Sequence, residues 1–305
     1  MIDYLEANQL MIVTMNRKPM AFGGKYLGWL RESNDILDSA TDLRHRFEQD
    51  GYLLIRDLQP VDLVQSARQH LITELSNRGQ IDTNFPLLDG VAKTDQRGGF
   101  FGGQKEMTRG PEFLNMVESK QIMDFCDHFF GTQSMTYDYK WLRVVAPKGF
   151  TGAHYDIVYM GRGTTNVLTC WTPIGDVPLE LGPLAILVGS HRFEIIKGTY
   201  GQMDVDRDHV TGWFSNDPFE LIDKYGGQWQ TANFRQGDVL IFGMFTMHAS
   251  LDNTTNRFRL TTDTRYQPAN EPVDDRWIGD NPTGHYAWRK GKTVSMDQAR
   301  QQWNV

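Results

Sequence analysis

Residues 237–266 read GDVLIFGMFTMHASLDNTTNRFRLTTDTRY, and the fold follows from them. Asp238 to Phe245 is a short apolar run of β-branched and aromatic residues, the texture of a buried strand. LDNTTN is turn-forming text, and it predicts a hairpin that sets His248 across from Arg259. Beyond the turn, Arg259, Thr261, Asp263 and Arg265 fall on one face at a period of two. A polar inward face is unusual for a barrel core and expected for a barrel that holds an anion.

Working outward, the same texture recurs in MTYDYKWLRVVAP, NVLTCWTPI and LAILVGS, each bounded by Gly, Pro, Asn or Asp. After Gly131 the chain therefore reads as antiparallel β, with enough short strands for a sandwich or barrel. A polar insertion from Gly198 to Gly227, containing Asp204, Asp206, Trp213 and Phe214, is long enough to be a lid over the barrel mouth. Upstream, the text after Asp42 gives a helical piece, an apolar run Tyr52 to Ile55, and a second helix. That helix has Pro60 at its start, Val64, Ala67, Leu71 and Leu75 at helical spacing, and Gly79 after its end. RGGFFGG at 97–103 reads as an irregular loop and a second lid candidate, and Pro111 to Phe130 returns to helical text closed by Gly131. Past Tyr266, turn formers dominate until Ser295 and Gln298, which form a capping box for a short terminal helix. The expected organisation is a helical and mixed segment (1–130) packed on a double-stranded β-helix, or jelly roll (131–268), with an inserted lid at about 198–230 and a C-terminal extension (269–305). Together these make one structural domain.

The chain has 305 residues, 40% hydrophobic and 23% charged, the balance of an ordinary globular protein. A chain of this size buries roughly three quarters of its unfolded surface, so a metal, if present, has a chemical job rather than a structural one. The net charge is −7, and no basic block stands out, which disfavours a nucleic-acid partner. Cys126 and Cys170 are the two cysteines, too few for a disulfide framework and wrongly spaced for a thiolate zinc site. The N-terminal text lacks the charged-then-apolar order of a secretory signal, and no stretch approaches the ~20 apolar residues of a membrane span. The simplest placement is a reducing cytoplasm, with no membrane partner.

His154-Tyr155-Asp156 follows strand-like text, and residues i and i+2 of an extended segment project to the same side. Alone, such a pair is weak evidence, as is a single histidine at a strand end. Together with His248 it gives two imidazoles and a carboxylate on a β scaffold, the facial set that leaves positions open on an octahedral ion and suits non-haem Fe(II) oxygen chemistry. Zinc hydrolysis uses similar donors. Arg259 tips the choice, because a chelating cosubstrate with a distal carboxylate needs a fixed guanidinium at its far end.

In the order and spacing of FEQDGYLLIRDL, HYD, the strand ending in Trp171, LGPLAILVGSHR, the 237–266 stretch and its closing TRY, the chain resembles the phytanoyl-CoA dioxygenase-like (PhyH) family of Fe(II)/2-oxoglutarate-dependent oxygenases. The likeness runs from about Phe47 to Tyr266. It implies a jelly roll with His154, Asp156 and His248 as iron ligands and Arg259 on the 2-oxoglutarate C5 carboxylate. Thr261 and Trp171 would be secondary cosubstrate contacts, and O2 the oxidant. The implied activity is hydroxylation of a small organic molecule with release of succinate and CO2. Tyr155, Leu181 and the Ala146-Pro147-Lys148-Gly149 stretch depart from the family's usual text. Asp156 is present where halogenating relatives carry a small residue, which points to a hydroxylase. Two other classes stay open: a cupin-like isomerase or hydrolase that does not use 2-oxoglutarate, and a non-catalytic binding protein on the same fold.

Overall fold

The computed structural model describes residues 11–94, 99–100, 105–286 and 293–305. The strands, in chain order, are β1 (Ile12–Met15), β2 (Lys18–Ala21), β3 (Leu27–Trp29), β4 (Tyr52–Ile55), β5 (Gly99–Phe100), β6 (Ser134–Thr136), β7 (Leu142–Val145), β8 (Leu168–Pro173), β9 (Leu184–Val188), β10 (Gln228–Thr231), β11 (Val239–Gly243), β12 (His248–Ser250) and β13 (Arg259–Pro268). A seven-stranded sheet carries the order β4-β11-β8-β13-β7-β5, with β6 also paired to β13. A four-stranded sheet runs β12-β9-β10-β3, and β1-β2 stand apart as a pair.

The two larger sheets face each other across a core of Tyr52, Leu54, Trp171, Leu240 and Phe242 from the large sheet and Leu184 and Ile186 from the small one. The alternate residues Leu53, Ile55, Leu168, Cys170, Val239 and Ile241 point the other way, onto Ile122, Phe125, Cys126 and Phe129 of the helix Lys120–Phe130. A strand covered on both faces needs apolar residues at every position. For this reason LLI and VLIF read as continuous runs rather than alternating ones. β13 is buried along its whole length, with Leu260 packed outward against the helix Val61–Asn77 and its neighbours.

Three expectations need correction. The hairpin between His248 and Arg259 does not form: β12 pairs with β9 in the small sheet, whereas β13 pairs with β6, β7 and β8 in the large one. LDNTTN instead carries the chain from one sheet to the other, and the Asn253 side chain pins the crossing through the carbonyls of Val145 and Arg257. The helical text from Pro111 to Phe130 divides into Pro111–Val117 and Lys120–Phe130, because Ser119 caps the second helix through the Ile122 amide. The segment before residue 131 also contributes more than packing, since β3 and β4 are edge strands of the two sheets. The second helix and the Ser295–Gln298 capping box both form as the sequence indicates.

Candidate active site

His154 and His248 face each other as a bridge in which each amide donates to the other's carbonyl, both at 3.1 Å. This backbone exchange sets the two imidazoles side by side, with ring centroids 4.1 Å apart. His154 Nδ1 lies 2.8 Å from the Gly152 carbonyl and His248 Nδ1 3.0 Å from the Thr246 carbonyl. A carbonyl can only accept, so Nδ1 carries the proton in each ring and Nε2 keeps its lone pair. Asp156 stands just before the one-turn helix Ile157–Met160, with Oδ1 3.9 Å from His154 Nε2 and 3.8 Å from His248 Nε2. One donor atom from each residue falls within 4.8 Å of the others. Two neutral imidazole nitrogens and one carboxylate oxygen are the donor set of a facial triad.

Electrostatics keep these groups in their ligating states. Burial pushes both histidines below their ordinary value, with each imidazole neutral as a result. Burial would raise Asp156, but the Arg265 guanidinium, the two imidazoles and the Thr169 hydroxyl outweigh it and hold the carboxyl below the usual range. Thr169 donates to Asp156 Oδ2 at 2.6 Å, and Arg265 Nη2 reaches both carboxylate oxygens at 3.0 Å. Arg265 and Thr169 are directly paired across β13 and β8.

Beyond the histidines a narrow chamber is lined by Trp171, Arg259 and Asp263. Arg259 is 1% exposed; its Nη1 donates to the Gly182 carbonyl, and its Nε has no partner among the described residues. Burial, reinforced by Arg143, pushes it down to about 9, so it stays cationic at neutral pH. Thr261 is fully buried with its hydroxyl unpartnered among the described residues. A buried guanidinium and hydroxyl with hydrogen-bonding capacity to spare suit a carboxylate guest. Arg143, tied to Asp263 Oδ2 at 2.6 Å, borders this chamber and the next one.

On the other side of His154 and Asp156 opens a cavity of about 200 Å³ walled by Trp141, Tyr159, Met160, Trp213, Arg265 and His285. Glycines seat two of these walls. A Cβ on Gly212 would overlap the Tyr159 hydroxyl, and one on Gly152 would stand 2.7 Å from Trp213 Cε3. His285 Nδ1 is 3.0 Å from Asp206 Oδ2, and Asp206 also receives Arg276 Nη1 at 2.5 Å and the Tyr286 amide at 2.9 Å. The insertion and the C-terminal extension thus meet at one fully buried carboxylate.

Of the lid candidates, Trp213 lines the cavity and is 40% exposed, whereas Phe214 is core. In the 97–103 loop, Gly99 and Phe100 pair with β7, and the rest lies outside the described residues. Lys140, on the strand-like text before the histidine pair, is buried against Glu118 and the Tyr137 carbonyl. Sequence reasoning missed Trp141, Tyr159, Met160 and His285. No spacing marks them, since they come from three separate segments that converge only in the fold. Among the described residues no helix is long and apolar enough to cross a membrane.

Comparison with known proteins agrees with this geometry. The profile of the Phytanoyl-CoA dioxygenase (PhyH) family matches residues 47–261. The 1-deoxypentalenic acid 11-beta-hydroxylase of Streptomyces exfoliatus is 24% identical over 254 residues, spanning 77% of this chain and 83% of its own. Among solved structures, the non-heme alpha ketoglutarate dependent carbocyclase SnoK from nogalamycin biosynthesis aligns with a TM-score of 0.54 at 19% identity, covering 79% of this chain and 86% of SnoK. EctD from S. alaskensis, solved with 2-oxoglutarate and 5-hydroxyectoine, aligns with a TM-score of 0.54 at 16% identity, over 96% of this chain and 98% of EctD. At such identities the structural likeness speaks for the fold, a double-stranded β-helix. The profile match spans most of the chain, and we conclude that it belongs to the phytanoyl-CoA dioxygenase (PhyH) family of Fe(II)/2-oxoglutarate-dependent oxygenases.

Proposed function

We propose that this chain is a hydroxylase acting on a small, ring-built organic molecule, with His154 Nε2, His248 Nε2 and Asp156 Oδ1 holding Fe(II). The bound metal and 2-oxoglutarate supply the oxidising chemistry, with O2 consumed and succinate and CO2 released. The protein's own part is placement. Arg259 and Thr261 receive the distal C5 carboxylate of the keto acid, Trp171 closes the wall beside it, and Arg143 separates this chamber from the substrate cavity. Trp141, Tyr159, Met160 and Trp213 offer flat apolar surface that excludes water and aligns a C–H bond toward the metal side of the cavity. The observation that carries the reading is Arg259: a buried guanidinium with an unpartnered nitrogen, in a chamber that also contains the ligating edges of both histidines. A cupin-like isomerase or hydrolase has no use for such a group. The carboxylate at Asp156 disfavours halogenation, and the activity for which the Streptomyces exfoliatus relative is named supports hydroxylation among the remaining oxidative outcomes.

The test is anaerobic addition of Fe(II) and then 2-oxoglutarate. A visible charge-transfer band is expected from keto-acid chelation, and its absence in metal-loaded protein defeats the reading. Succinate release screened over a panel of cyclic metabolites, with Asp156→Ala as the inactive control, then identifies the substrate. A product lacking the added oxygen would count against hydroxylation in particular.

A further inference from the structure

We infer that Thr169 and Arg265 form a latch that restricts Asp156 to one ligating oxygen, keeping a coordination position open for the cosubstrate. This rests on the metal assignment above and adds positioning residues to it. The two carboxylate oxygens are not equivalent. Oδ1 is the oxygen nearer both imidazole Nε2 atoms, at 3.9 and 3.8 Å. Oδ2 is the oxygen that accepts the Thr169 hydroxyl at 2.6 Å. Arg265 Nη2 bridges the two at 3.0 Å and fixes the carboxylate plane.

Arg265 is itself held tightly. Its Nη1 donates to the Asp263 carbonyl, and its guanidinium stands 4.3 Å over the Trp141 ring. All three members of the latch are at most 1% exposed, so water does not replace a lost contact. The latch is a product of sheet register, because Thr169 and Arg265 are opposite one another on β8 and β13. A shift of one residue in either strand would turn that strand's member of the pair to the outer face.

The consequence is chemical. Six positions surround an octahedral ion; three go to the protein, two to a chelating keto acid and one to O2. A carboxylate free to swing can chelate through both oxygens and take a fourth position. A hydroxyl committed to Oδ2 opposes that swing, since the second oxygen would have to give up a buried hydrogen bond to reach the metal. Outer-shell partners of this kind commonly change metal-site properties by 10–100-fold.

The experiment compares wild type, Thr169→Val, Thr169→Ser and Arg265→Lys, each loaded with Mn(II) or, anaerobically, with Fe(II). The first readout is the infrared difference spectrum of Mn(II)-loaded against metal-free protein, in which the splitting between antisymmetric and symmetric carboxylate stretches is wide for one-oxygen ligation and narrow for chelation. The second is 2-oxoglutarate affinity on the Fe(II) protein, read from the charge-transfer band. We expect wide splitting in wild type and Thr169→Ser and narrowed splitting in Thr169→Val. Mn(II) affinity in Thr169→Val should stay within about threefold of wild type while 2-oxoglutarate affinity falls about tenfold or more. Unchanged splitting in Thr169→Val, narrow splitting in wild type, or metal and keto-acid affinities falling together would each overturn the latch. Arg265→Lys is expected to be intermediate, because an ammonium holds the charge but not the plane. Loss of the charge-transfer band in wild type would instead refute the cosubstrate assignment, and the infrared comparison would still decide the latch.

Discussion

Gly152 lies under the indole of Trp213 so closely that a Cβ there would stand 2.7 Å from Cε3, and 2.5 Å from Asn216 Oδ1. The carbonyl of the same glycine orients His154 by accepting from Nδ1 at 2.8 Å. One residue therefore serves the cavity wall and a proposed metal ligand together. Gly152→Ala must displace either the ring or the carbonyl, and it should weaken Mn(II) binding by about tenfold through loss of that orientation. Calorimetric titration checks this; unchanged affinity alongside unchanged tryptophan fluorescence would show that the contact is slack.

Arg259→Ala should raise the 2-oxoglutarate dissociation constant by about thirtyfold or more, the equivalent of at least ~2 kcal/mol for a buried charge pair losing one member. Metal affinity should change little, because Arg259 touches none of the three ligands. Titration of the anaerobic Fe(II) protein with 2-oxoglutarate measures the first quantity and Mn(II) titration the second. Full keto-acid binding in the variant would remove the guanidinium from the site.

The depressed histidines make a prediction about acid. Both imidazoles sit below their ordinary value in the folded protein, so below about pH 6.5 the unfolded chain takes up protons that the folded chain does not. Stability should then fall as the pH drops, by up to ~1.4 kcal/mol per pH unit for each such group. Asp156 acts in the same direction at lower pH, since its folded value is depressed and the stability it lends is lost as it protonates. Urea midpoints of metal-free protein should be lower at pH 5 than at pH 7, and His248→Gln should show a shallower dependence. Equal slopes would mean that other groups control the acid response. Because Nε2 is already deprotonated at pH 7, metal uptake there should release fewer than about half a proton per ion, measurable by calorimetry in buffers of different ionisation enthalpy.

Asp206 joins Arg276, His285 and the Tyr286 amide at a point with no exposure. Removing one member of a buried ion pair costs up to ~3–5 kcal/mol where the remaining charge is left uncompensated; here Arg276 keeps its two contacts to Asp274, so the loss should be smaller. Asp206→Ala should accordingly lower the thermal midpoint by several degrees and release His285 from the cavity wall. Limited proteolysis should then open the chain near the C-terminal extension before the barrel. A variant that melts like wild type would show that the extension is held by other contacts.

The barrel was legible in the sequence because its strands are chemically uniform. Runs such as VLIF and LAILV leave no other element type open, and HYD, His248 and Arg259 carry distinctive side chains at places where strands end. The crossing after Ser250 was misread as a hairpin because turn formers signal a change of direction without specifying which sheet receives the chain. That choice belongs to the pairing of β12 with β9 and of β13 with β8, which depends on packing across the core. The substrate wall was illegible for a related reason. Apart from Trp213, which stood out in the insertion, Trp141, Tyr159 and His285 sit on three different segments, and an aromatic side chain reads the same whether it faces solvent, core or cavity. Thr169 gave no signal either, since threonine is ordinary strand text and only its register opposite Arg265 gives it a role.

Strand β13 bears Arg259, Thr261, Asp263 and Arg265 along one buried face of a single ten-residue element, while Trp213 of the insertion and His285 of the C-terminal extension complete the cavity wall. On the proposed reading, the cosubstrate contacts and the clamp on Asp156 share one strand, and two of the side chains that would meet the molecule to be oxidised hang from segments outside it. Such a division allows a lineage to exchange its substrates by rewriting peripheral loops while the strand stays untouched.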